Sequence, residues 1–250
     1  MEILVALLII VGIVVAALIK SPKTKGYLGE KNVQIFTSLR LDSTVYRRID
    51  NITLGSAGET TQIDHVFVSE YGIFVVETKN MKGWIFGSEN QVEWTQKIFK
   101  KSSKFQNPLR QNYKHVKALQ TILVLPPTAI HSVVVFVGES EFKTPMPRNV
   151  THQGELVTYI RSFTSPILTK EKVQSIIDKI EQARLPATQE TARIHVENLR
   201  ARARKVDAGE ACPRCGASLV LRTSKSGSHV GSKFMGCSGY PKCRYTRAVT

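Results

Sequence analysis

The segment YGIFVVETKN, residues 71–80, is apolar enough for a buried strand, yet it closes on Glu77 and Lys79. Side chains alternate between the faces of a strand, so Ile73, Val75, Glu77 and Lys79 share one face and the charges follow directly on the apolar pair. The preceding stretch, TTQIDHVFVSEYG at 60–72, also has strand character. Its Glu-Tyr-Gly end is a tight-turn signal, so the two form a hairpin. Asp64 then shares a face with Gln62, Val66 and Val68, with Ile63 and Phe67 on the other, and Asp64 and Glu77 meet at one end of the sheet. Two carboxylates and an ammonium so placed suit metal-dependent phosphodiester chemistry. The acids hold a hard cation such as Mg²⁺, which lowers the pKa of a water and neutralises phosphate charge, and the lysine orients or deprotonates that water. Glu-x-Lys is equally readable as a plain ion pair. His65 turns away from Asp64's face and reads as a packed or exposed histidine.

Outward from this hairpin, a helical stripe (Leu28, Val33, Ile35, Phe36, Leu39) predicts a helix over about 27–39. TVYRRIDNITL (44–54) reads as a strand, and GWIFGSENQVEW (83–94) as a hairpin turning around Ser88 to Asn90. A helix follows from Pro108, then a buried strand at 132–138, SVVVFVG. GELVTYIRSF and TKEKVQSIIDKIEQA are two more helices, the second with Val173, Ile176, Ile177 and Ile180 on its apolar stripe. This order argues for an α/β domain with a mixed sheet. Residues 188–206 read as a basic helix with Ala192, Val196, Leu199, Ala203 and Val206 spaced by four and three. That is about two heptads, short of a coiled coil. It suits a connecting helix lying on its neighbours, with self-association along the seam as the alternative.

The net charge of +15 over 250 residues favours an acidic partner, nucleic acid or anionic lipid, over solubility alone. Ile3 to Ile19 carries no charge, and Lys20, Lys23 and Lys25 follow it. The length is at the short end for a membrane-spanning helix, and the lysines place the rest of the chain in the cytoplasm. A cleaved signal peptide is the rival, disfavoured by Glu2 and by the ending AALIKSPK. The expectation is a single-pass protein of the bacterial inner membrane.

All four cysteines, Cys212, Cys215, Cys237 and Cys243, fall near the C-terminus, in CPRCG and CSGYPKC. Two close pairs on Gly- and Pro-bearing turns fit tetrahedral thiolate ligation of zinc. Disulfides are the alternative, disfavoured in a reducing cytoplasm. Residues 200–250 hold eleven Lys/Arg against two Asp/Glu. Phe234, Tyr240 and Tyr245 are candidates to stack bases while Arg222, Lys233, Lys242 and Arg244 meet phosphates, although at least one of the aromatics is expected in the small core.

Two resemblances sharpen this reading. CPRCGASLVLRTSKSGSHVGSKFMGCSGYPKCRYT is similar to the C-terminal zinc ribbons of bacterial type I topoisomerases, which implies single-stranded DNA binding. GYLGEKNV, TTQIDHVFVSEYGIFVVETKNMKGWIFGSENQVEW and NPLRQNYKHVKAL together resemble the nuclease-related domain, NERD, of the PD-(D/E)xK nuclease superfamily. The resemblance implies a restriction-endonuclease-like mixed sheet flanked by helices and Mg²⁺ or Mn²⁺ as catalytic cofactor. It casts Glu30 as a helix-borne acid, Asp64 and Glu77 as metal ligands and Lys79 as their partner, with Gln96 and Gln111 as further polar positions. The superfamily's proline before the aspartate is Ile63 here. The expected divisions are an anchor at 1–20, the nuclease-like domain at 24–140, a helical extension at 141–187, a linker helix at 188–208 and the ribbon at 209–250.

Three functions compete. The first is a membrane-anchored metal-dependent nuclease with a DNA-binding tail. The second is a non-catalytic tether for DNA, and the third a nuclease-fold sensor acting through protein partners. Clustered carboxylates favour the first, since without a cation they repel DNA.

Overall fold

The computed structural model describes residues 21–56, 59–213, 216–225, 230–241 and 243–249. The expected anchor lies outside them. No helix among the described residues is long and apolar enough to cross a membrane.

Helix α1 (Pro22–Ser38) starts before the expected Tyr27, because the Ser21 side chain caps it by accepting from the Thr24 N–H at 3.2 Å and Pro22 suits its first turn. Its apolar stripe is only partly inward: Val33 is buried, but Leu28, Ile35 and Leu39 are exposed. The contact face is set instead by Gly29, where an added Cβ would fall 2.8 Å from the Asn80 Cβ. That close approach turns Val33 and Thr37 into the core and leaves Leu28, Ile35 and Leu39 of the expected stripe outward.

Strands β1 (Arg47–Ser56), β2 (Glu59–Ser69) and β3 (Gly72–Asn80) form an antiparallel meander. The β2–β3 turn is as tight as read, with Ser69 paired to Gly72 and Gly72 at φ 127. Strands β4 (Gly83–Phe86), β5 (Glu93–Ile98) and β6 (Lys101–Gln106) come next, then helix α2 (Pro108–Leu123) and strands β7 (Ile130–Val137), β8 (Ser140–Phe142) and β9 (Val150–His152). The main sheet has the order β1-β2-β3-β7-β9, with β7 parallel to both its neighbours, and β6-β5-β4-β8 form a second sheet. The sequence reading missed β6, β8 and β9. The last two are three residues each, and β6 (KSSKFQ) carries no apolar alternation.

Residues 141–187 do not stand apart as an extension. Strand β9 joins the main sheet, helix α3 (Gln153–Arg161) buries Leu156 and Ile160 with Val33 and Phe74 on one of its faces, and helix α4 (Lys170–Ala183) buries Val173, Ile176 and Ile180 on the other with Val66 and Leu119. Helix α5 (Gln189–Asp207) has no buried residue and ends at Gly209 in the left-handed conformation. It meets β2 by a polar edge: the Asn198 Nδ2 donates to Thr60 Oγ1 at 3.3 Å, and His195 Nδ1 lies 2.9 Å from the same oxygen. The seam expected to lie on the neighbours is exposed at Val196 and Leu199. Strands β10 (Leu219–Thr223), β11 (Lys233–Cys237) and β12 (Thr246–Ala248) make a third, antiparallel sheet.

Asn112, fully buried on α2, ties the sheet together. Its Nδ2 donates to the carbonyls of Val75 and Val133 at 2.8 and 2.9 Å and to Ser132 Oγ at 2.9 Å. An apolar replacement leaves these acceptors short of a donor in the core. Asn112→Leu should therefore destabilise the fold by about 2 kcal/mol or more, read from urea denaturation. A change within 0.5 kcal/mol would mean that the acceptors find other donors.

Candidate functional site

The expected convergence at the end of the β2–β3 hairpin is present, and its cause is local. Backbone pairing between β2 and β3 runs from Ser69↔Gly72 to His65↔Val76 and then stops. One residue further on, Asp64 Oδ2 accepts the Thr78 N–H at 2.7 Å, so a side chain takes a bond that a strand would otherwise supply. On the other side, β1 pairs at Asp50↔His65 and Ile52↔Ile63 but skips Asn51, which has φ 52. This break shifts the alternation. Ile63 packs in the cluster of Val66 and Val68, not with Phe67 as expected.

Glu77 and Lys79 face α2. Lys79 Nζ donates to Glu77 Oε1 at 2.7 Å and to Gln111 Oε1 at 2.9 Å. Glu77 Oε2 lies 3.1 Å from His115 Nε2, and His115 Nδ1 lies 2.7 Å from Thr61 Oγ1. Sequence reading singled out Gln111 but missed His115, although four residues of helix put both on one face. Gln96 is not brought to the group: its Nε2 donates to the Lys82 carbonyl at 2.8 Å on the second sheet. His65 turns away, as alternation requires, and its Nδ1 pairs with Asp50 Oδ1 at 2.7 Å.

The electrostatics separate the acids. Burial would raise Glu77, but the Lys79 ammonium and His115 overcome it and hold the carboxyl below its ordinary range. Asp64 is pushed well above that range by burial, then by repulsion from Glu77 and Glu30, against the pull of the Thr78 N–H and Lys79. Glu30, half-buried on α1, is also raised, chiefly by burial; His65 attracts it while Glu77 and Asp50 repel. The repulsion of Asp64 by Glu77 and Glu30 is of the kind that a divalent cation held by Asp64 and Glu77 would relieve, although among the described residues no three acid ligand atoms come within 4.8 Å of one another. A cleft of about 660 Å³ opens at Gln111 and His115, the partners of Lys79 and Glu77, and is lined also by Thr61, Glu93, Gln106 and Arg202; the three acids themselves are not among its lining residues.

The second site is the cysteine cluster. The Sγ atoms of Cys212, Cys237 and Cys243 lie within 4.8 Å of one another, and Cys215 falls outside the described residues. Cys212 and Cys243 are 3.7 Å apart, far beyond a disulfide bond. A tetrahedron with Zn–S of about 2.3 Å has an S···S edge of about 3.8 Å, so the spacing fits zinc. The Gly239 N–H donates to Cys237 Sγ at 3.3 Å, the kind of backbone support that thiolate ligands receive. Beside the cluster a groove of about 650 Å³ is lined by Arg222, Phe234, Tyr240, Arg244 and Tyr245. Arg222 stands opposite Phe234 and 5.7 Å over the Tyr240 ring. Tyr245 also packs against the cysteine core, the dual place expected of one aromatic. Lys233 is next to Phe234 on β11, so alternation turns it from the groove; Lys242 is outside the described residues.

A main sheet that opens on Asp64, Glu77 and Lys79, followed by a small thiolate-bound sheet, defines a nuclease-related α/β protein with a C-terminal zinc finger. The chain belongs to the NERD family. The nuclease-related domain model matches residues 25–137, and the topoisomerase DNA-binding C4 zinc finger model matches 209–250. An uncharacterized protein of Bacillus anthracis is 39% identical over 194 residues, covering 74% of this chain and 91% of that one. Other proteins match over shorter stretches, topoisomerases at the ribbon among them. The uncharacterized protein YrdD of Escherichia coli is 53% identical over 40 residues, 16% of this chain and 19% of that one. DNA topoisomerase 1 of Methanocaldococcus jannaschii is 60% identical over 38 residues, 15% and 4% of the two chains. No solved structure matches the chain.

Two predictions follow from the charges and the sulfurs. Asp64 holds its proton in the fold to a higher pH than in the unfolded chain. Stability is therefore full below about pH 3.9, the ordinary carboxylate value, and declines as pH rises towards the raised one. In Mg²⁺-free buffer Asp64→Asn should melt a few degrees above the parent at neutral pH, with the gain vanishing in acid, as read by calorimetry. Equal melting at neutral pH would show that Asp64 is not strained by its neighbours. Cys237→Ser should lose the zinc, about one ion per chain by metal analysis, since its Sγ is central to the cluster. Full zinc content in that variant would place the ion elsewhere.

Proposed function

We propose that the chain is a metal-dependent nuclease acting on DNA, with a zinc ribbon that holds single-stranded DNA and an N-terminal anchor that tethers both to the inner membrane. The observation that carries the nuclease reading is the meeting of Asp64, Glu77 and Lys79 where the β2–β3 pairing stops, with their partners Gln111 and His115 on the wall of an open cleft. A pure DNA binder has no use for repelling carboxylates at such a point.

Mg²⁺ or Mn²⁺, when bound, supplies a lowered water pKa and neutralises charge on the phosphate. Asp64 and Glu77 would hold the cation, with Glu30 the acid nearest to them on α1. Lys79 meets the charge that develops on the phosphate and orients the attacking water, while Gln111 fixes its ammonium. His115, steadied by Thr61, holds the second oxygen of Glu77, so that this ligand keeps one orientation. At the ribbon, Phe234 and Tyr240 stack bases and Arg222 and Arg244 meet phosphates. The apolar run Ile3 to Ile19 and the lysines after it support the tether.

The test is cleavage of labelled single-stranded, double-stranded and branched DNA with Mg²⁺ or Mn²⁺. Lys79→Gln should reduce cleavage at least about a hundredfold while still binding the cation, because it removes a charge that acts on the transition state. Asp64→Ala should lose both cleavage and cation binding. Glutamine is the better probe at position 79, since alanine would leave the buried Glu77 with one partner fewer. Absence of cation-dependent cleavage across all three substrates would sink the nuclease reading and favour a tether.

A further inference from the structure

The outward face of the second sheet carries a feature that neither site uses. Strands β4, β5, β6 and β8 bury one face, with Ile85, Trp94, Phe105 and Phe142 packed on Phe136 and Val134. The other face presents Trp84, which is 45% exposed although it stands in the middle of the sheet. Lys97 is directly opposite it on β5, with its ammonium 5.7 Å from the indole centroid, and the ammonium of Lys143, which follows β8 on the other side of β4, is 4.9 Å away. A large indole left to water between two ammoniums is not a core residue, and nothing in the fold requires it.

The same face leads to the cleft. Along β5 the residues sharing the side of Lys97 are Thr95 and Glu93, and along β6 their partners are Ser102, Lys104 and Gln106. Glu93 and Gln106 line the cleft together with Gln111 and His115. Four residues of strand separate Gln106 from Ser102, roughly 13 Å. A continuous polar path thus runs from the candidate nuclease site to Trp84. Beyond it, the β5–β6 turn holds Phe99, 92% exposed, and residues 97–104 contain four lysines and no acid. The acids on this face, Glu93 and Glu141, are each already paired, with Lys104 and Lys143.

We propose that this face binds single-stranded nucleic acid: a base stacks on Trp84 while Lys97 meets an adjoining phosphate and Lys143 and Lys104 exchange their exposed acid partners for phosphate, guiding the strand to or from the cleft. Stacking on an aromatic platform inside a basic track needs no base identity, so the site takes any sequence. An anionic lipid surface would satisfy the lysines too. A flat base reaches an indole lying among strands between two ammoniums more readily than an acyl chain does, and the path to the cleft has no meaning for lipid. The direction of the strand rests on the nuclease reading; the binding itself does not.

The chain has two tryptophans, and Trp94 is fully buried, so emission that responds to a ligand reports Trp84. With the full chain in neutral-lipid vesicles and Mg²⁺-free buffer, a short oligothymidylate should quench this emission, and salt should weaken the effect. Trp84→Phe should abolish the quench. With the ribbon groove disabled by Tyr240→Ala and Arg244→Ala, Trp84→Ala should weaken the remaining binding of labelled oligothymidylate about tenfold by anisotropy. The quench should persist when Tyr240→Ala and Arg244→Ala disable the ribbon groove. Binding without quenching, or no binding at all, would overturn the proposal. So would emission that responds to anionic vesicles and not to the oligonucleotide. Quenching in a protein that cleaves nothing would leave the platform standing and remove only the nuclease reading.

Discussion

The hydrogen bond from the Thr78 N–H to Asp64 Oδ2 is the point on which the arrangement turns. A hairpin left to itself continues its ladder, because each backbone bond satisfies two groups that otherwise lose water for nothing. Here the ladder ends one residue early and a carboxylate takes over a strand's part. The substitution brings an anion into a place where the neighbouring anion, Glu77, is almost wholly buried. Such a placement is held only by structure around it. Helix α2 supplies that structure with polar side chains on two adjacent turns: Gln111 and His115 engage Lys79 and Glu77, while Asn112 caps the carbonyls of β3 and β7 behind them.

The charges of the chain divide accordingly. The overall surplus of +15 does not surround the acids. Within the site, a single ammonium, Lys79, bears on Glu77 from the cleft side, and Asp64 is left with a carboxyl that prefers its proton. The positive charge is spent on the approaches: the lysines of the β5–β6 hairpin, the arginines of α5 and the ribbon. The bulk of the positive charge and the buried acids thus occupy different parts of the molecule, which keeps the basic groups from neutralising the acids.

What could be read in the sequence was what is local or periodic. Glu77 and Lys79 announce themselves because strand alternation puts them beside Ile73 and Val75. The cysteines do so because their ligand pairs are close in the chain. His115 was missed because its role depends on a helix crossing a sheet, although its four-residue offset from Gln111 was visible. The stripe on α1 misled for a related reason: hydrophobicity alone pointed to Leu28, Ile35 and Leu39, whereas the absence of a side chain at Gly29 decided which face could come near β3. Ile63 was placed on the wrong face because alternation assumes an unbroken ladder, and the left-handed Asn51 interrupts it. These failures all arise where backbone contact at short range outweighs a pattern of side chains.

The docking of α5 raises a matter of strength. A linker helix fixed by its apolar seam would bury it, but this one uses hydroxyl, amide and imidazole groups of Thr60, Asn198 and His195, and leaves Leu199 half in water. Net gains from such bonds are about 1 kcal/mol each, so few of them hold the helix against β2. The ribbon end is joined differently. The Arg202 guanidinium lies against Gly216, where an added Cβ would come within 2.2 Å of it, and Gly209 stops the helix just before the first cysteine loop. Helix α5 thus touches both the β2 edge and the start of the ribbon. Its Leu199, Arg202 and Ala203 form one wall of the cleft, so that wall rests on a few polar bonds and not on a buried apolar seam.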